Sequence, residues 1–295
     1  IRTSISTTDP ATIRSIVTAP QPVILALDLG TTGNRAIAFS TRGEVVAQSY
    51  REFPQHFPRP GWVEHDPDDI WRTAKQVLDE VLASVGSEHV AALGLTNQRE
   101  TTILWDRQTG RPVHNAIVWQ CRRTQPMCER LHDAASMIKQ KTGLALDPYF
   151  SATKIAWILD AVGGARAKAE RGEVLFGTVD SWILWQLSGG RVHATEASNA
   201  SRTLCYNIHT LSYDGELLKL FGVPEACLPQ VRESAGRFAM TDRAITGREI
   251  PITDILGKVT GYNDRATRDS LMRRFERDKK VLRDLGLPIE HAVAG

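Results

Sequence analysis

Between Val23 and Phe53 the chain runs VILALD, RAIAFS and VVAQSYREF, three short apolar stretches broken by LGTTGN and by TRGE. Breaks this short leave no room for a crossover helix, so each stretch must turn back on the one before it as a β-hairpin. A Pro-rich loop follows, FPQHFPRPGWVEHDP, and its end signals a helix start, with Pro67 at an early helical position and acids in the first turn. Ile70, Ala74, Val77, Leu78 and Val81 recur at three- and four-residue spacings, which predicts one helix to about Val85. HVAALGLTNQRE reads as a buried strand ending in polar residues, and TTILWDRQTGRPVHNAIVW as a further hairpin around Thr109-Gly110. Three antiparallel strands, a helix and a returning strand make an α/β domain.

From about Arg123 to Leu187 helical patterns alternate with one strand, VLFGTV, and DSWILWQL reads as a short amphipathic helix. No internal repeat or low-complexity block is present. The 295 residues suffice for one large domain or two ordinary ones, each with its own core. The character changes near Gly257. DRATRDSLMRRFERDKKVLRDLG predicts a helix with Leu271, Phe275, Leu282 and Leu285 on one side and charges elsewhere. Residues 258–295 hold nine Lys/Arg and six Asp/Glu, about +3, which leaves −1 for the remainder of a chain whose net charge is +2. At the other end, residues 1–22 are Ser/Thr-rich with two Arg and one Asp and are expected to form a disordered extension. Organelle transit peptides share that composition.

A net charge this small gives no global pull toward nucleic acid or an anionic membrane. No apolar run approaches the roughly 18 residues of a membrane-spanning helix. Cys121, Cys128, Cys205 and Cys227 form no C-x-x-C pair, so neither a zinc site nor a disulfide framework is indicated, and a cytoplasmic setting is expected.

Three polar stretches carry chemistry. A strand ending in Asp28 and feeding Gly30-Thr31-Thr32-Gly33 gathers backbone N–H groups and two hydroxyls around a small concavity suited to a phosphate. The carboxylate could hold Mg²⁺ directly or through water. The spacing is neither that of a Walker loop nor of a dinucleotide fingerprint, and a plain hairpin turn has the same pattern. The second stretch, Asn97 to Glu100, ends a buried strand, where open α/β sheets bind ligands; Arg99 and Glu100 could bond neighbouring hydroxyls or form a structural ion pair. The third, GLALDPYFSATK, offers Tyr149 on a rigid loop, or equally a buried Tyr with its hydroxyl satisfied.

Taken in order, with GWVEHDP, LFGTVDSW and ASNASRT between them, TNQRETT, IVWQCRRT and DPYFSATK resemble the glycerol kinases among the FGGY carbohydrate kinases, over about Val23 to Gly257. The resemblance implies an actin-like, ribonuclease-H-like first domain, a second domain of the same fold, and a cleft for ATP-Mg²⁺ and glycerol. It implies that Asp28 is the metal-associated acid and that Gly30, Thr31, Thr32 and Arg35 form the first phosphate loop. Arg99, Glu100 and Tyr149 would hold the hydroxyls of glycerol, with Trp119 lining the site. Gly33-Asn34 stand where many relatives have two serines, a change a turn should tolerate. A homo-oligomer is compatible with the resemblance, whereas nucleic acid and membrane are not expected partners.

The resemblance breaks at ITDILGKVTGYN. There Lys258 and Val259 stand where the family has Asp and Gln, the Asp serving as base toward the glycerol hydroxyl. A charged lysine cannot accept that proton. Asp254 comes four residues too early, so no catalytic base is identified and turnover is expected to be impaired. The tail segment LMRRFERDKKVLRDLGLPIE resembles part of the helix-turn-helix region of WYL-domain transcriptional regulators, over about 25 residues. This leaves two other readings: a glycerol-binding regulatory or DNA-associated protein, and a non-functional fusion.

Overall fold

The alternating apolar runs pair as the spacing of their turns requires. In the computed structural model, which describes residues 22–233 and 237–253, β1 (Val23–Leu29), β2 (Gly33–Ser40) and β3 (Val45–Glu52) form an antiparallel meander. The helical tail expected over 258–295, Asp254 and, Pro22 apart, the N-terminal extension lie outside the described residues.

After a two-residue strand β4 (Glu64–His65) comes α1 (Pro67–Val85). Its start is fixed by two local features: Asp66 caps it, a carboxylate oxygen accepting from the Asp68 N–H at 2.8 Å, and Pro67 occupies the first turn. All five residues of the predicted apolar stripe are buried. The returning strand β5 (Val90–Asn97) lies parallel to β1, with Leu27 opposite Leu95 and Asp28 opposite Thr96.

Beyond it run β6 (Ile103–Asp106), β7 (Ala116–Ile117), α2 (Gln125–Arg130), α3 (Ala135–Thr142), α4 (Ser151–Ala161) and α5 (Ala165–Glu170). Then follow β8 (Val174–Gly177), α6 (Val179–Leu187), β9 (Ala194–Glu196), α7 (Ala197–Ala200), β10 (Tyr206–Asn207) and β11 (Ser212–Tyr213). The last described elements are α8 (Gly215–Phe221), β12 (Gln230–Arg232), β13 (Arg237–Met240), α9 (Arg243–Thr246) and β14 (Pro251–Thr253). The principal sheet has the order β13-β14-β5-β1-β2-β3, with β14 parallel to β5, a mixed α/β sheet of the expected ribonuclease-H-like kind.

Two cores divide the buried apolar residues. One joins Leu25, Leu27 and Leu29 of β1 to Ile70, Ala74 and Leu78 of α1 and to Trp105, Trp182 and Trp185. The other gathers Leu104, Ile117, Ile155, Ile158, Phe176, Leu217 and Phe221. All four cysteines are buried and unbridged.

Three local expectations are corrected. Gly33 and Asn34 belong to β2, not to the turn. Gly33 is required by space: a Cβ there would press on the Arg51 carbonyl and lie 2.8 Å from the Tyr50 ring. Asn34 is fully buried, its amide donating to the Ile70 carbonyl at 2.9 Å and to the Thr73 hydroxyl at 2.8 Å, so it ties β2 to α1. The segment 101–119 does turn back on itself through Thr102–Ile117 and Trp105–Pro112 bridges, yet β6 forms its ladder with β8 and β7 with β4. Finally, α6 is not amphipathic, because eight of its nine residues are buried.

Candidate functional site

The face of a residue on β1 decides what it can meet. Leu25, Leu27 and Leu29 sit opposite Ala38, Ala36 and Asn34, and Asn34 reaches α1, so this face is the packed one. Asp28 therefore lies on the other face, in a row that runs Thr96, Asp28, Arg35, Tyr50 across four strands, all four residues exposed. Partial burial at its base holds the Asp28 carboxyl above the usual carboxylate range, and Arg35 opposite pulls it back. Arg35 stacks over Tyr50, 5.3 Å from the ring centre; it stands beside the turn and outside it.

The turn itself is Gly30 to Thr32. The Gly30 N–H closes it on the Gly33 carbonyl at 3.0 Å, and a Cβ on Gly30 would meet that same oxygen at 2.8 Å. The N–H groups of Thr31 and Thr32 donate to no described residue. Asp28 is a lone acid. Among the described residues no group of three or more His, Cys, Asp or Glu could hold a metal ion by itself.

A partly buried polar frame, absent from the sequence reading, supports this turn. Gln55 donates its amide to the Thr31 carbonyl at 3.0 Å, and Gln98 donates to the Gly30 carbonyl at 3.1 Å. His65 lies between them, 2.6 Å from Gln55 Oε1 and 3.4 Å from Gln98 Nε2. Burial and the nearby His56 push the His65 imidazole down to about 4, so it is neutral at pH 7. The neutral tautomer that donates from Nε2 to Gln55 and accepts at Nδ1 from Gln98 satisfies both glutamines. The signal in the sequence was EHDP, read only as a helix start.

The residues expected to hold a polyol come together next to the turn. Trp119 donates its indole N–H to the Thr31 hydroxyl at 2.9 Å, and its ring lies 5.5 Å from that of Tyr149. Glu100 is buried, and its carboxylate accepts from Arg202 Nε at 2.6 Å. Arg202 in turn approaches the Tyr149 and Phe150 rings at 5.9 and 4.9 Å. Burial and the Glu100 carboxylate raise the Tyr149 phenol, against the pull of Arg202. Arg99 is exposed and makes no hydrogen bond or ion pair with a described residue. The ion pair open in the sequence reading is thus real for Glu100, but its partner is Arg202, 102 residues away in the chain.

Two further buried ionisable groups, Lys154 and Asp180, lie outside the residues the sequence singles out. Lys154 donates to the carbonyls of Glu100 and Tyr149 at 2.9 and 2.6 Å. Asp180, at the start of α6, accepts from the hydroxyls of Thr178 and Thr195, the latter at 2.6 Å, and burial raises its carboxyl to about 6.

Residues 23–258 match the FGGY family of carbohydrate kinases, N-terminal domain. The chain is 55% identical over 245 residues to the glycerol kinase of Rhodospirillum centenum, covering 82% of this chain and 49% of that protein. It is 54% identical over 235 residues to the glycerol kinase of Aquifex aeolicus, covering 80% and 48%. The chain thus spans about half the length of the curated relatives it matches. Among solved structures it resembles Plasmodium falciparum glycerol kinase with ADP, at a TM-score of 0.75 and 30% identity over 79% of this chain and 48% of that one. It also resembles the xylulose kinase of Rhodospirillum rubrum, at a TM-score of 0.70 and 20% identity over 78% and 48%, a likeness of fold.

Proposed function

Because the chain belongs to the FGGY family of carbohydrate kinases, we propose that residues 23–257 form the polyol-binding half of an ATP:glycerol phosphotransferase. The observation that carries this reading is the Trp119–Thr31 hydrogen bond at 2.9 Å, which joins the wall carrying Tyr149 to the turn with free N–H groups. A polyol held at the first would stand beside a phosphate held at the second.

In this reading Arg99, exposed and without a partner among the described residues, donates to glycerol hydroxyls. Glu100 accepts from them, since Arg202 engages one of its oxygens and a carboxylate has four lone-pair sites. Tyr149 and Trp119 cover the carbon skeleton. The Thr31 and Thr32 N–H groups and hydroxyls receive ATP phosphate oxygens, as phosphoryl transfer depends chiefly on positioning and charge neutralisation. Asp28, with Arg35 beside it, would hold Mg²⁺, whose chemistry when bound is to neutralise phosphate charge. The cytoplasm, where ATP is available, fits four unbridged cysteines. No helix among the described residues is long and apolar enough to cross a membrane.

The Lys258 substitution at the position of the family's base makes transfer by this chain slow. The test is glycerol-dependent ADP release by the purified chain, with Arg99→Ala prepared in parallel to expose contaminating kinase. Slow or absent release in the native chain, together with saturable glycerol binding that Arg99→Ala abolishes, supports the reading. Rapid release in the native chain that Arg99→Ala abolishes refutes slow transfer, and glycerol binding that survives in Arg99→Ala refutes the polyol site.

A further inference from the structure

Lys154 is the one lysine among the described residues with no exposed surface, and its stem lies on α4. A buried ammonium is costly unless a partner compensates it, and none of its hydrogen-bond partners is a carboxylate. Its amine spans two backbone carbonyls that are 49 positions apart, those of Glu100 at 2.9 Å and Tyr149 at 2.6 Å. These carbonyls belong to the residues that flank the candidate polyol site from two different loops. Burial draws the Lys154 amine down to about 7, against Cys121, Glu100 and Asp147. Each of the two carbonyls takes one N–H of the amine.

We infer that Lys154 is a positioning residue, a buried strut that fixes the Glu100 loop and the Tyr149 loop at one separation so that their side chains meet the same ligand. This rests on the polyol reading of the site. Neither loop supplies the restraint itself. The bond from the Tyr149 N–H goes to Asp147 within its own loop, and the Glu100 carboxylate is held by Arg202 from a third segment. Without the amine, the Tyr149 carbonyl loses its donor and the Glu100 carbonyl keeps only the Thr102 hydroxyl at 3.4 Å, so the direct backbone tie between the two loops is lost.

The experiment compares Lys154→Met, which keeps the stem and removes both donors, with Lys154→Gln, which restores two N–H groups on a shorter stem. Hydrogen–deuterium exchange is read over segments 97–102 and 147–153 of the whole chain, and glycerol affinity by titration, with Arg99→Ala alongside. The Met variant is expected to exchange faster in both segments, with 23–40 unchanged, and to weaken glycerol about tenfold, the scale set by an unsatisfied buried group. The Gln variant is expected to recover most of both effects. Wild-type exchange in either segment of the Met variant, or Gln behaving as Met does, overturns the inference. Should the Met variant fail to fold, the Gln variant alone decides, since faster exchange in one segment and not the other contradicts a shared strut. Arg99→Ala binding glycerol as well as wild type would instead refute the polyol reading, leaving exchange to judge Lys154.

Discussion

Glu64→Gln should destabilise the protein far more than its size suggests, because it strips the charge from the partner of a cation with no access to water. The Arg123 side chain has 0% exposure and Glu64 7%, and they meet at 2.6 Å. The guanidinium lies against both Trp62 and Trp157, 3.9 and 4.6 Å from their ring centres, and its Nε–H meets the Cys121 sulfur at 3.1 Å. Nη1 has no hydrogen-bond partner among the described residues, so the remaining N–H groups do not compensate for a weakened bond to Glu64. Breaking a buried pair from one side costs about 3–5 kcal/mol, since the surviving charge stays desolvated. At about 2–4 °C per kcal/mol for a domain of this size, the melting temperature should fall by about 10 °C. Urea unfolding of wild type, Glu64→Gln, Arg123→Met and the double variant measures it. The double variant should recover at least half of the summed losses, because replacing both partners by apolar groups removes the unpaired charge. A Glu64→Gln loss below about 1 kcal/mol, or strict additivity in the cycle, would refute the reasoning.

Arg99→Ala should leave stability within about 0.5 kcal/mol, since an exposed side chain with no described partner is removed, and an unfolding curve shifted beyond that would contradict its placement. Asn34→Ala should cost about 2 kcal/mol in denaturant unfolding, because the Ile70 carbonyl and Thr73 hydroxyl lose a buried donor. His65 gives a pH signature. Its folded value near 4 lies below the ordinary 6.5, so its contribution is complete above pH 6.5 and is lost as pH falls toward 4, by about 3 kcal/mol. Asp180 acts oppositely, raised from 3.8 to about 6, so its contribution is present at low pH and fades as pH rises through that window. Subtracting the His65→Gln stability profile from that of wild type isolates the His65 slope, and a flat difference between pH 4 and 6.5 would contradict the buried, neutral imidazole.

Local pattern carried the meander, α1 and β5, because period-2 and 3.6-residue repeats with Pro and Asp at a helix start are written in contiguous residues. It failed where the deciding partner is distant. Gly33 looks like a turn glycine in sequence, yet it is specified by the Tyr50 ring and Arg51 carbonyl on the next strand. DSWILWQL has polar residues enough for a surface helix, but Asp180 and Ser181 are satisfied inside by Thr195 and the Ala194 carbonyl. At the site, Asp28, Thr31, Arg99, Glu100 and Tyr149 stand out from the residues alone with a plain structural reading open beside each, whereas Trp119 and the polyol role come only from the family resemblance. Their supports reach them over long separations, His65 to Gln98 across 33 residues, Lys154 to Glu100 across 54 and Arg202 to Glu100 across 102, which no spacing rule links.

The central claim is that Arg99, Glu100, Trp119 and Tyr149 form a site for a small polyol. The most direct test is isothermal titration of glycerol into the purified chain and into Arg99→Ala, with unfolding curves recorded for both. The account predicts saturable heat in the wild type and none in the variant, at equal stability. No saturable binding in the wild type, or the same isotherm in both proteins, would contradict it.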